Sequence, residues 1–151
     1  MQAEAVEAAL LRRLSVWAAG SATAGSLLWA AGRRAERPAV AAFGRQNAAW
    51  GAVDGAIALA GTVRRRAGSS GADDDPARAR KLRRVLLVNA WLDVGYLLAG
   101  AGMIAARHRA DRLPRYDSAQ AAGDGAAIIL QGGFLLWLDA THARRLDGHD
   151  T

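Results

Sequence analysis

Residues 85–106 read VLLVNAWLDVGYLLAGAGMIAA, a run of 22 residues with no basic side chain, set between Arg83–Arg84 and Arg107. At a rise of ~1.5 Å per residue it extends for about 33 Å, enough to cross the ~30 Å hydrocarbon core of a bilayer. It lacks the broad polar face of a surface helix, and a helix apolar nearly all round is either fully buried or membrane-spanning. That choice decides the fold.

Three further runs have the same character. Segments 14–31, 46–63 and 124–141 are each 18 residues long, and arginines bound them: Arg12–Arg13, Arg33–Arg34, Arg64–Arg65–Arg66 and Arg144–Arg145. Trp17, Trp29, Trp50, Trp91 and Trp137 mostly sit within a turn or two of a segment end, where interfacial tryptophans gather. The mean hydropathy is zero, which keeps a soluble four-helix bundle in view, but a chain of 151 residues cannot bury four such helices. The pattern predicts an all-α, polytopic membrane protein, a single domain over 1–151 built as a four-transmembrane-helix bundle. The first segment is expected to be retained rather than cleaved. Glu4 and Glu7 precede it, and it exceeds the ~7–15-residue core of a secretory signal.

The formal charge is +6 with 20 Lys and Arg. All of them lie between or beside the apolar runs, so the expected partner is a lipid bilayer and not nucleic acid. Even-numbered crossings place both termini on one side, with twelve basic residues there and eight on the other. This excess predicts cytoplasmic termini in a multi-pass protein of the bacterial inner (plasma) membrane, the Ala- and Arg-rich composition fitting a GC-rich genome. The 64–84 connection, with Gly68-Ser69-Ser70-Gly71 and Asp73-Asp74-Asp75-Pro76, reads as a flexible, charged cytoplasmic loop. Cysteine is absent, which excludes thiolate chemistry and disulfides. No hydrolase, nucleotide-loop or zinc-protease motif occurs, so an enzyme is not favoured and no cofactor is expected. Asp139 and His142 lack the further ligands a metal would need, and no metal site is expected.

The informative feature is polar. Asn47 and Asp54 are two turns apart in segment two; Asn89, Asp93 and Tyr96 fall at i, i+4 and i+7 in segment three; Asp124, Gln131 and Asp139 fall at i, i+7 and i+15 in segment four. Each set forms a line on an otherwise apolar cylinder. From the helix rise, Asp54 lies about 15 Å and Asp93 about 12 Å from the same face, with Gln131 seven residues inside the opposite end of segment four, near mid-depth as well. These three make one expected central layer, with Asn47 and Asp124 nearer the outer face and Asn89 and Asp139 nearer the inner one. An unpaired carboxylate at the bilayer centre costs at least ~2.5–3.5 kcal/mol. No Lys, Arg or His lies inside the runs to offset it.

Gln46-Asn47-Ala48-Ala49-Trp50, Asn89-Ala90-Trp91-Leu92-Asp93-Val94-Gly95-Tyr96 and Gln131-Gly132-Gly133-Phe134-Leu135 through Asp139 resemble an uncharacterised family, a domain of unknown function found in small bacterial integral membrane proteins. The resemblance runs from Gln46 to Asp139 and implies the four-helix membrane fold. It brings no catalytic or binding residues.

The expectation is a central intramembrane pocket built by Asp54, Asp93, Gln131, Asn89 and Tyr96, with Asn47 beside it and Asp124 and Asp139 as secondary polar positions. Such a pocket would bind a small polar or cationic ligand or relay protons, in a transport-related role. A homo-oligomer would suit transport, with the Gly51/Gly55 face available to form it. The alternatives are a noncatalytic membrane scaffold or accessory subunit held together by these polar groups, and a membrane enzyme acting on a lipid-like substrate.

Overall fold

The structure, a computed structural model, describes residues 2–68 and 76–146. Among these residues the chain is helical: α1 (Gln2–Arg34), α2 (Pro38–Ala67), α3 (Pro76–Ala105), a short 3-10 segment (Arg107–Arg112) and α4 (Ser118–Arg144). The four expected segments fall within these four helices, apart from Ala106 at the end of the third. The helices outrun the segments because Ala, Leu, Glu and Arg are all good helix formers, so charged flanks prolong a helix instead of ending it. The expected loop over 64–84 is corrected for the same reason. Residues 64–67 complete α2, and α3 begins at Pro76, a residue suited to a first helical position. Residues 69–75, with the Asp73-Asp74-Asp75 triplet, lie outside the described residues, as does His149.

The helices pair as two antiparallel hairpins. In the first, Gly25 faces Ala48, Gly32 faces Ala41, Gly44 faces Trp29 and Gly51 faces Ala22, each meeting backbone where a Cβ would stand. From Gly44 to Gly61 the buried positions of α2 are Gly44, Asn47, Gly51, Asp54, Ala58 and Gly61, a three-four alternation that keeps one side of the helix turned inward. In the second hairpin, Gly100 and Gly125 bring α3 and α4 together. The hairpins join through α2 and α4, which run parallel: Ala39 lies against Gly123, and Asn47 bonds Gln131. Gly51 is thus committed to α1, and Gly55 has only Ala18 near it, at 3.8 Å. The Gly51/Gly55 face assigned to oligomerisation is, at Gly51, an intramolecular seam.

α1 reaches well beyond its apolar run and closes one end of the bundle. Val6 packs with Leu86, Ala143 and Leu146, and Glu7 pairs with Arg78 at 2.9 Å. A turn or two further in, Leu14, Ala58 and Leu138 form a second apolar cluster. Outside this core the surface is unusually apolar: Val16, Trp91 and Leu98 are 71%, 77% and 69% exposed. α3 and α4 are long and apolar enough to cross a membrane, on length and composition. The runs in α1 and α2 are diluted by Gly, Ser and Thr, and in α2 also by Gln46, Asn47 and Asp54.

Candidate functional site

The polar residues of the interior form three groups at different places, where the sequence led us to expect a single pocket. The first centres on Gln131, 1% exposed on α4. Its Nε2 donates to Asn47 Oδ1 at 2.8 Å and to Ser21 Oγ at 3.2 Å, and its Oε1 accepts from Trp17 Nε1 at 2.6 Å. Asn47 Nδ2 in turn donates to the Phe43 carbonyl at 2.8 Å. One amide therefore ties α4 to both helices of the first hairpin, and Trp17 stacks on Phe134 with centroids 3.9 Å apart.

The second group is carboxylic. Asp54 and Asp93 are 2% and 4% exposed; the charge of Asp54 bears on Asp93, and that of Asp93 bears on Asp139. Asn89 hydrogen-bonds Asp139 from the rim of the group. Among the described residues, Oδ2 of Asp54 and Oδ2 of Asp93 are buried without a hydrogen-bond partner. So is Nε2 of His142, one turn beyond Asp139, whose Nδ1 contacts the Leu138 carbonyl at 2.7 Å. Among the described residues no three His, Asp or Glu side chains converge as metal ligands.

The third group lies near the start of α4. Asp124 accepts from Arg45 at 2.9 and 3.2 Å and from the Tyr116 hydroxyl at 3.0 Å. Burial, then the Asp124 hydrogen bond, push the Tyr116 phenol up to about 12. Asp117 caps the helix with a reciprocal Gln120 pair.

Helix geometry explains the division. Gln131 and Asp139 are eight residues apart, which at about 100° per residue turns them about 80° from each other around α4. Gln131 consequently faces α1 and α2, while Asp139 joins Asp93 of α3. Gln131 thus leaves the expected central layer and takes Asn47 as its partner, and Asp124 pairs with Arg45 and not with Asn47. Tyr96 does not enter the pocket either. It is 40% exposed, its Cβ sits over Gly132, and its ring meets Trp50 edge-on at 5.3 Å. The sequence reading missed Trp17, Ser21, Arg45 and Tyr116, which lie outside or at the margins of the polar lines. It also left His142 outside the apolar runs, where only its i+3 spacing from Asp139 hinted at a shared face.

A family of unknown function (DUF6992) matches residues 13–140. The chain belongs to this family. The match includes every residue of the three groups except His142, and it omits the first turns of α1 that close the bundle. No curated protein and no solved structure matches the chain.

Proposed function

We propose that this protein spans the bacterial cytoplasmic membrane four times, with both termini inside, and that Asp54, Asp93 and Asp139 hold and pass protons within it. The single observation carrying the proposal is the pair Asp54–Asp93: two buried carboxylates, the charge of the first bearing on the second, each with an oxygen lacking a hydrogen-bond partner among the described residues. Two like charges in a low-dielectric interior do not both ionise without a cation between them. A proton on one of them is the smallest species that relieves them. The order Asp54, Asp93, Asp139, His142 leads from mid-depth toward the end where α1 and α3 begin. Asn89 supplies a hydrogen bond at the third step.

The membrane part rests on the large exposed apolar side chains distributed over all four helices, since soluble monomers rarely expose contiguous apolar surface on that scale. It rests also on the exclusion of every Lys and Arg from the apolar runs. The Gln131 group, by contrast, has its hydrogen bonds made within the chain and serves to hold helices together, a structural role distinct from that of the carboxylates.

Infrared spectroscopy of the protein in liposomes tests the proposal. At neutral pH the wild type should display a protonated-carboxyl band that weakens in Asp54→Asn/Asp93→Asn and disappears when Asp139→Asn is added, while helical circular dichroism is unchanged. Asp93→Asn alone should abolish proton uptake on a pH jump. A wild-type spectrum without the band, or a band as strong in the double variant as in the wild type, would sink the idea.

A further inference from the structure

Between α1 and α4, floored by α2, runs a groove of about 700 Å³. Its lining extends from Arg12 to Leu28 along α1, about 24 Å by the helix rise, so it is long and narrow. The walls are apolar: Val16, Leu28 and Phe43, with Leu130, Phe134 and Trp137 opposite. Arg12 and Arg13 stand at one end, and no acidic residue lines the groove. Arg13 lies 5.6 Å over the Trp137 ring, and among the described residues Arg12 and Arg13 form no ion pair. Gly20 lines the groove, and a Cβ built there would meet nothing within 4 Å. This glycine opens the slot instead of serving a helix contact.

We infer that this groove holds one acyl chain of an anionic membrane lipid, with the headgroup phosphate against Arg12 and Arg13. The length and the mostly apolar lining suit an extended hydrocarbon chain. The charge is complementary to a phosphate, and it stands at the end where cytoplasmic-leaflet headgroups would lie. The inference rests on the four-span membrane reading and is independent of the proton reading. The lipid would occupy a face that the carboxylates do not share, since the groove is lined by the partners of Gln131 and by none of Asp54, Asp93 or Asp139.

Native mass spectrometry of protein released from vesicles of equal phosphatidylglycerol and phosphatidylcholine tests it. The wild type should retain one phosphatidylglycerol per chain, preferred over the zwitterionic phosphatidylcholine by roughly thirtyfold from two arginines near a headgroup of net negative charge. Gly20→Leu fills the slot and should lose most of this retention, and Ala24→Leu, also on the lining, should do the same. Arg12→Gln/Arg13→Gln should still retain lipid but lose the preference. No retained lipid, retention unchanged in both groove-filling variants, or binding of added free laurate without phosphatidylglycerol would each overturn the inference. A carbonate wash of the same vesicles separates the two levels. Release of the protein would refute the membrane reading, and the groove reading with it. An integral protein with no groove lipid refutes the groove reading alone.

Discussion

Replacing Gln131 with Met keeps an unbranched side chain of similar length and removes both the amide donor and the amide acceptor. Three hydrogen bonds are lost, at 2.6, 2.8 and 3.2 Å. Within a membrane such bonds average ~0.6 kcal/mol, giving about 2 kcal/mol together. A further ~1 kcal/mol or more comes from Asn47 Oδ1, which would be left buried without its donor; Trp17 is only half-buried and can turn to another partner. The expected total is about 2–4 kcal/mol, measured by reversible unfolding in mixed micelles of increasing denaturing-detergent fraction. Removing both partners is predicted to be milder than the sum of the single losses. Asn47→Leu/Gln131→Met leaves no orphaned carbonyl, and the double-mutant cycle should return a coupling of ~1 kcal/mol or more. If Gln131→Met unfolds within ~0.5 kcal/mol of wild type and the cycle shows no coupling, this amide does not hold α4 to the first hairpin.

Other outcomes follow from the same geometry. Gly51→Ala and Gly25→Ala should each destabilise by ~1–3 kcal/mol in the same assay, because the added methyl meets the facing backbone. Gly95→Ala, where a Cβ has open space, should be neutral or stabilise by up to ~1 kcal/mol through helix propensity. Arg45→Gln should cost under ~1 kcal/mol, since the arginine side chain is 48% exposed and solvent screens its pair with Asp124. An ultraviolet titration should contain a tyrosinate phase near pH 12 that vanishes in Tyr116→Phe. The folded value lies above the ordinary one, so the stabilisation from the neutral phenol is complete below pH 10. It falls away as the pH rises through about 12, and Asp124→Asn should move the phase downward.

The helices were legible in the sequence because their signal is local. Length, all-round apolarity and arginine flanks act within a single segment, as 85–106 illustrates. The ends were less legible because charged Ala-, Arg- and Glu-rich flanks carry no stop signal, and α1 accordingly runs back to Gln2. The polar lines could be drawn from spacing alone, and so could the similar depth of Asp54 and Asp93. Which line meets which could not be read, because that depends on the rotation of each helix about its axis and on which helices are neighbours. The alternating crossings make α2 and α4 parallel, but the sequence offered no reason for them to be neighbours, and that adjacency gives Gln131 to Asn47.

By itself, then, the sequence determined an all-helical chain with an acidic and amide-bearing interior, since hydrophobic periodicity and the cost of burying charge are properties of residues and their spacing. The tertiary structure alone decided how that interior is partitioned. Glycine seams at Gly25, Gly44 and Gly51 draw α1 onto α2, and the 80° turn between Gln131 and Asp139 sends one to an amide network and the other to the carboxylates. The gap left between α1 and α4 becomes a groove. Each of these depends on long-range packing, to which a one-dimensional pattern is blind.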